Sequence, residues 1–508
     1  MQNRKRTLSL LSLLMALIFA SSGLSLGTCA LADETIEIRA FIGDRADVPV
    51  TQDMPVFEEL AKRTGVKIVW DIAPASGTAE KYNLVMASGD IPDMVVYTIT
   101  DNIKYAEKGA FLALNDLVAE YAPNFQRYLD ESVIIRKDVS DTNGNVFVFP
   151  MLAAIKTSLV YMIRQDWMNN VGISQVPVTL DDWVALLTAF RDNDANGNGD
   201  PIDEVPFTFR SGWNNLNFYE SFGVWHDLFI DKDGEIKFGP ADPRFKEYLE
   251  FANKLYSEKL VDLEYVTMDT NLWQNRMVSS TGGASYDWVT RIDNFNTQLT
   301  AIDPNAQLVF AAPPVGPTGL SETRFQMEKV RSSSAAISSQ TKHAEAIVKM
   351  FDYIYSDEGR MLMNFGIEGM TYNLVDGLPV YTDLVLHDAS GFSPQQAQWF
   401  YGINRDFAFA QDPLMENAYV SDEVAAARVV YEQAIIDPFP KLKFTDEEKN
   451  IVNPIRTELD TYVDEMVDKM ITGAEPVSNF DAFVDQLNRL GLETFLEYQN
   501  IAYQRYLQ

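Results

Sequence analysis

Apolar and polar residues alternate along Ile36-Glu37-Ile38-Arg39-Ala40-Phe41, the period-2 pattern of a strand with one buried face. The pattern then changes to a helical spacing around Pro55–Thr64, which Gly65 stops, and Val66-Lys67-Ile68-Val69-Trp70 returns to a strand. A further helix near Ala79–Ser88 ends at Gly89, and Pro92 opens a strand over Met94–Tyr97. Strands that alternate with helices predict a mostly parallel sheet with helices on its faces. In such sheets ligands bind beyond the carboxyl ends of the strands, where Trp70 and the loop after Tyr97 would lie.

A second α/β region starts near Lys156. Thr179-Leu180-Asp181-Asp182 resembles a capping box with Asp in the third helical position. Trp183, Leu186, Leu187 and Phe190 then fall at i, i+3, i+4 and i+7, one apolar helix face, and Pro206–Phe209 reads as the next strand. The stretch Ala312-Pro313-Pro314-Val315-Gly316-Pro317-Thr318-Gly319 is too rich in Pro and Gly for a regular element and is read as leading into a crossover between lobes. Beyond it come a strand at Ala335–Ser338 and a helix marked by Ala344, Ile347, Val348, Phe351 and Ile354. The C-terminal region is largely helical, with one stripe from Ile455 through Leu459, Tyr462 and Met466 to Met470, and a second through Phe483, Leu487 and Leu490.

The N-terminus has the order of an export signal: Arg4, Lys5 and Arg6, then an apolar run from Leu8 to Ala20, then Ala30-Leu31-Ala32 before Asp33. Residues 1–32 are therefore expected to be a signal peptide, removed after Ala32. An alternative route stays open, because Leu26-Gly27-Thr28-Cys29 resembles a lipobox that would anchor the chain through a lipid on Cys29. Cys29 is the only cysteine, so the exported chain has no disulfide framework and no thiol nucleophile or Cys-based metal site. Removal of the signal leaves 476 residues, more than a single core of about 250–300 residues accommodates, so at least two lobes are expected.

Composition is that of a globular protein, with 46% hydrophobic residues. The formal net charge is −32, and loss of the three basic residues of the leader takes it to −35. A field of this sign repels phosphate backbones and anionic lipid, which excludes nucleic acid as a partner. It also argues against a highly anionic ligand, unless a local basic pocket overrides it.

The most specific local motif is Asp192-Asn-Asp-Ala-Asn-Gly-Asn-Gly-Asp-Pro-Ile-Asp-Glu204, with five carboxylates in thirteen residues. Oxygen-bearing side chains at alternating positions, interleaved with glycines, suit Ca²⁺, which takes six to eight hard oxygen ligands. Asp192, Asp194, Asn196, Asn198, Asp200, Asp203 and Glu204 are the candidate ligands of a structural calcium ion. Registers starting at Asp192 and at Asp194 both fit.

Catalytic signatures are missing. The three histidines, His226, His343 and His387, stand at no metal spacing, and no H-E-x-x-H, G-x-S-x-G, P-loop or strand-linked G-x-G-x-x-G occurs. Aromatic rings stack on the apolar faces of sugars while Asp, Asn and Arg take the hydroxyls, so the eight tryptophans suit a sugar site. Trp183, on an apolar helix face, is read as core. Trp70 at a strand end and Tyr286-Asp287-Trp288 after Gly282-Gly283 are better placed for a cleft, and Trp213 and Tyr372 complete the candidate ligand-binding set.

Several segments together resemble family 1 extracellular solute-binding proteins, in particular the Gram-positive lipoprotein oligosaccharide binders and the periplasmic alginate-binding proteins. They are Ala87-Ser-Gly-Asp-Ile-Pro-Asp93, Gly109-Ala-Phe-Leu-Ala-Leu-Asn-Asp-Leu117, Ile163-Arg-Gln-Asp-Trp-Met168, Pro177-Val-Thr-Leu-Asp-Asp182, Asp203-Glu-Val-Pro206, Gly366-Ile-Glu-Gly-Met-Thr-Tyr372 and the tail from Ile471-Thr-Gly473 to Leu490-Gly-Leu492. The group's calcium loop usually has one residue fewer where Asp200-Pro201-Ile202 stands here. The resemblance implies a periplasmic-binding-protein-like α/β fold of two lobes joined by hinge crossovers, closing on a ligand in the cleft between them. On this chain that gives lobe I as 33–155 plus about 322–372, and lobe II as 156–321 plus about 373–508. It also implies a monomeric binder, not an enzyme, that delivers a carbohydrate to the permease subunits of an ABC transporter outside the cytoplasm. A sensor feeding a membrane kinase and a secreted carbohydrate-active enzyme are the alternatives.

Overall fold

The computed structural model describes residues 35–45, 48–157, 159–200, 202–210, 216–324 and 329–507. The leader, with Cys29 and Ala30–Ala32, and Trp213 lie outside the described residues.

Among the described residues thirteen strands follow in chain order: β1 (Ile36–Gly43), β2 (Val66–Ala73), β3 (Met94–Thr98), β4 (Val148–Leu152), β5 (Leu159–Arg164), β6 (Val205–Phe207), β7 (Leu228–Ile230), β8 (Ile236–Phe238), β9 (Gly282–Trp288), β10 (Leu308–Ala311), β11 (Val330–Ile337), β12 (Tyr372–Val375) and β13 (Leu378–Tyr381). The first sheet has the order β2-β1-β3-β11-β4, with β1 parallel to β2 and β3, and β11 antiparallel to β3 and β4. The second has the order β10-β5-β9-β6, with β5 antiparallel to β9 and β10, and β6 parallel to β9. β7–β8 and β12–β13 are separate hairpins.

The local signals in the sequence are realised closely. The helix Pro55–Thr64 ends at Gly65 in the left-handed conformation (φ 73°), with the Gly65 amide donating to the Ala61 carbonyl. The Thr179 hydroxyl accepts from the Asp182 amide and the Asp182 carboxylate accepts from the Thr179 amide, a full capping box that starts the helix Leu180–Asp192. Every residue of β5 is buried, because alternate side chains serve different cores: Leu159, Tyr161 and Ile163 pack with Trp183 and Phe190, whereas Val160 and Met162 pack with Trp273, Ile292 and Phe295.

The chain builds one core on the first sheet and two on the faces of the second. The first core takes residues from Ile38 to Leu152 and from Val330 to Met415. The main core of the second lobe takes Leu159–Ala311 together with the C-terminal helices, through Val452, Leu459, Met470, Phe483 and Phe495. The expectation that residues from about 373 join the second lobe is corrected by this packing. Tyr381 Oη donates to the Asn364 carbonyl at 2.6 Å, Asn364 Nδ2 donates to the Ala410 carbonyl at 2.9 Å, and Ala410 pairs with Leu152 at the end of β4. These bonds hook residues 372–412 onto the first sheet. The described residues at the junctions of the lobes are thus 153–157, 312–324, 329 and 416–421. Outside these crossovers, Lys443 of the second lobe donates to the carbonyls of Lys137 and Ser140 in the first, and Lys137 lies 4.2 Å from the Tyr506 ring centroid.

Candidate functional site

Strand direction decides where a ligand can meet both sheets. β4 runs toward the first crossover and β5 runs away from it. Since β4 and β3 are both antiparallel to β11, the strands β1, β2 and β3 run with β4 and their carboxyl ends face the second lobe. Trp288, the last residue of β9, pairs with Leu159, the first of β5, so β9 and its parallel neighbour β6 point their carboxyl ends back at the first lobe. The carboxyl ends of both sheets therefore converge on one cleft floored by the crossovers, the position at which α/β sheets bind ligands.

On the first lobe, the chain leaving β1 turns at Asp44, whose Oδ1 accepts from the amides of Arg45 (2.8 Å) and Val50 (2.7 Å). Gly43 ends the strand where the Thr78 side chain comes within 2.7 Å of the place a Cβ would occupy, a close approach only glycine permits. Arg45 stacks over Trp399 at 3.6 Å and pairs with Asp406 at 2.9 Å. Trp399 Nε1 is held by the Asn404 carbonyl at 3.1 Å, and its ring is half-buried.

On the second lobe, Arg210 beyond β6 donates through Nε (2.9 Å) and Nη2 (2.6 Å) to one oxygen of Asp287, and Arg291 approaches the other at 3.5 Å. Asp287 is 1% exposed. Burial pushes its carboxyl up, and the two guanidiniums act against that shift. The Asp287 carboxylate also accepts from the Trp288 amide at 2.8 Å, fixing the half-buried Trp288 at the cleft.

Of the residues singled out in the sequence, Asp287 and Trp288 stand at this cleft. Trp70, Tyr286 and Tyr372 do not. Trp70 sits in mid-strand, since β2 continues to Ala73, and packs edge-on against Phe57 and Phe407. Tyr286 points into the second core, 4.5 Å from Tyr161, and Tyr372 packs on Phe365 in the first. Arg45, Trp399, Asp406 and Arg210 were not foreseen. Arg45 and Arg210 carry a readable signal, because each closely follows a strand; Trp399 reaches Arg45 from 354 residues away and carries none.

The loop 194–204 closes on itself. Gly197 (φ 72°) and Gly199 (φ 90°) supply left-handed turns. Asp194 Oδ2 accepts from the Gly199 amide at 2.9 Å, Asn196 Oδ1 from the Asn198 amide at 2.9 Å, and Asp203 takes both asparagine amides at 2.9 Å. Asp194 Oδ1 and Glu204 Oε2 are buried without any hydrogen-bond partner, and burial pushes the Glu204 carboxyl up, with the Asp203 charge adding to it. Asp192 turns away: its oxygens accept from Arg191 at 2.7 and 3.0 Å. Asp200 is exposed and contributes its amide to Asn198 Oδ1. Among the described residues no group of three or more His, Cys, Asp or Glu side chains is gathered to hold a metal.

The family model described as bacterial extracellular solute-binding protein matches residues 48–361, more than half of the chain. The chain belongs to this family. The solute-binding protein is 24% identical over 479 residues to the fructooligosaccharide ABC transporter substrate-binding protein FusA of Streptococcus pneumoniae serotype 4 (strain ATCC BAA-334 / TIGR4), covering 89% of this chain and 87% of FusA. It is 24% identical over 471 residues to the lipoprotein LipO of Bacillus subtilis (strain 168), covering 89% of each. Among solved structures, the alginate-binding protein AlgQ2 without calcium ion superposes with a TM-score of 0.76 at 26% identity, over 94% of this chain and 99% of that one. FusA solved as an EF-hand mutant with fructo-nystose gives 0.72 at 21% identity, over 93% and 99%. FusA and AlgQ2 are named as binding proteins, and the fold is the periplasmic-binding-protein one.

Two cavities in this solute-binding protein lie within the second lobe and its crossovers. One, of about 380 Å³, is lined by Trp225, Arg324, Phe439, Phe444 and Arg456; the other, of about 300 Å³, lies across Arg324 beside Phe229 and Arg244. Neither is lined by Arg45, Arg210, Asp287, Trp288 or Trp399. Among the described residues no helix is long and apolar enough to cross a membrane.

Proposed function

We propose that this chain is an extracytoplasmic binding protein that captures an oligosaccharide in the cleft between its lobes and presents it to the permease subunits of an ABC importer. One observation carries the reading: the carboxyl ends of both sheets meet at a cleft that presents a half-buried tryptophan from each lobe, Trp399 and Trp288, each beside an arginine–aspartate pair. Flat rings with charge-assisted donors and acceptors at their edges are what a pyranose or furanose requires. A ligand held from both sides favours the closed form, and that closed form is the species a transporter distinguishes from the empty one. FusA and AlgQ2, whose names refer to fructooligosaccharide and alginate, support the carbohydrate assignment.

The loop 194–204 is read as the site of a structural Ca²⁺ in the register that starts at Asp194, with Asp194, Asn196, Asn198, Asp203 and Glu204 as ligands. The two orphaned buried carboxylate oxygens support the fit, because a buried anionic oxygen without a donor is costly unless a cation completes it. Asp192 and Asp200 are left out of this set. The ion would tie the end of the helix Leu180–Asp192 to β6, and Asn170 Nδ2, which donates to the Ala195 carbonyl at 2.9 Å, links the same loop to the helix Gln165–Asn170.

The test is the melting temperature of the exported protein, in calcium, against a panel of plant and microbial oligosaccharides, with each stabilising sugar recovered after overnight incubation. A ligand specific to the folded state adds about 4 kcal/mol at a thousandfold excess over Kd. A shift with the sugar intact is expected. Shortened products would instead indicate an enzyme.

A further inference from the structure

The larger cavity of the second lobe is walled by a stretch of irregular chain. Residues 435–445 join the helix Asp422–Ala434 to the helix Asp446–Thr472. The stretch is tied at its start to the crossover, where the Ile436 amide donates to the Thr323 carbonyl and the Thr323 amide to the Ala434 carbonyl, both at 2.9 Å. At its end the Lys443 carbonyl accepts from Arg505 Nη1 at 2.8 Å. Between these ties Pro438 and Pro440 have no amide to offer a strand or helix, so the chain crosses as an open span. Phe439 and Phe444 of this span join Trp225 in lining about 380 Å³. Lys443, between Leu442 and Phe444 of the lining, donates to the Lys137 and Ser140 carbonyls of the first lobe, so the cavity lies at a junction of the lobes. An aromatic lining with few polar groups, at a domain junction and of this size, is the usual make-up of a small-molecule site.

The polar groups of the lining are treated unequally. Arg456 donates to both oxygens of Asp227, at 2.7 and 2.8 Å, so these two satisfy each other. Gln499 is 4% exposed, and its side-chain amide makes no hydrogen bond among the described residues. A buried amide destabilises the fold unless something completes it. Arg324 is half-buried over the Phe229 ring, 5.1 Å from its centroid, and no described carboxylate pairs with it. Glu220 instead accepts from the Thr323 hydroxyl at 3.0 Å and from the Arg324 backbone amide. In a chain of net charge −32, a guanidinium without an ion pair is a local site for an anion. Its planar fork matches a carboxylate, the Gln499 side chain offers both a donor and an acceptor to another amide, and the rings suit an apolar body.

We propose that this cavity is a second binding site, separate from the interlobe cleft, for a small carboxylic acid with an apolar body and an amide, the chemistry of an N-acylated apolar amino acid. Arg324 takes the carboxylate, Gln499 the amide, and Trp225, Phe439 and Phe444 the body. The site is independent of the sugar proposed for the cleft.

Calorimetric titration of the exported protein with N-acetylphenylalanine and N-acetylleucine tests it, beside N-acetylphenylalaninamide, which lacks the charge, and glucuronate, which carries a carboxylate on a polar ring. The two acetylated acids are expected to bind about tenfold more tightly than either control, with an affinity that falls as salt is raised. Arg324→Gln should weaken them about tenfold and Gln499→Leu about fivefold, the worth of a charge-assisted and of an ordinary hydrogen bond. Because Gln499→Leu removes an amide that the chain leaves unsatisfied, the unliganded variant should melt no lower than the wild type, which separates loss of binding from loss of fold. Trp288→Ala and Trp399→Ala should leave the binding of the acetylated acids unchanged. No binding at about 10 mM, binding of the amide or glucuronate as tight as that of the acids, an affinity that neither cavity substitution weakens, or an affinity lost in the cleft variants would each overturn the second site and leave the sugar reading of the cleft in place.

Discussion

Asp287 and the pair Asp194–Glu204 are both buried acids in the second lobe, and they are treated in opposite ways. Around Asp287 the fold supplies two guanidiniums and a backbone amide, so the charge is balanced from within. Around Asp194 and Glu204 it supplies hydrogen bonds to one oxygen of each carboxylate and leaves the other buried and bare. Burying an ionised group demands a partner. Where the chain provides that partner the group is architectural, and where it withholds it the bare oxygen is the place the proposed Ca²⁺ would fill.

Four substitutions or treatments sharpen that contrast. Asp287→Ala should cost the most, about 3–5 kcal/mol, because it strands two guanidiniums beside a buried site; chemical denaturation measures it. Removal of calcium with a chelator should come next, with a loss of about 2.7 kcal/mol relative to protein held at a hundredfold excess of ion over Kd, read as a fall in melting temperature. Glu204→Gln should change sign with the ion. It weakens the calcium-loaded protein and, by neutralising a bare buried oxygen, stabilises the calcium-free one by about 1 kcal/mol. Asp192→Ala should do least, within about 0.5 kcal/mol, and should leave the calcium-induced shift unchanged, since that carboxylate already faces Arg191 on the surface. A large effect of Asp192→Ala on the calcium shift would move the register to Asp192.

Much of the fold was legible because it is written locally. The alternation at Ile36–Phe41, Gly65 after the helix Pro55–Thr64 and the Thr179–Asp182 box each depend on residues within one turn or one strand. The return of residues 372–412 to the first lobe was not legible, because it is carried by bonds such as Asp412 amide to Asn364 Oδ1 that span long separations without a composition change. At the site, the strand-end rule pointed to Asp287 and Trp288, which do end β9. It failed for Trp70 because the strand runs three residues further than its alternation signalled, which turns the indole toward Phe57 and Phe407 instead of the cleft. On the first lobe the loop after Tyr97 was placed at a strand end, as it is after β3, but the three side chains that line that half were not. Arg45, Trp399 and Asp406 are assembled from both ends of that lobe's two chain segments, and only the folded topology brings them together.

The central claim is that a sugar binds between the lobes at the converging strand ends. Calorimetric titration of the stabilising oligosaccharide into the wild-type protein, Trp288→Ala and Trp399→Ala tests it most directly. The account predicts one site per chain, weakened by about 2 kcal/mol, or roughly thirtyfold, in each variant, since a tryptophan at the centre of an interface is typically worth that much. Full affinity in both variants would contradict it and move the site away from the cleft.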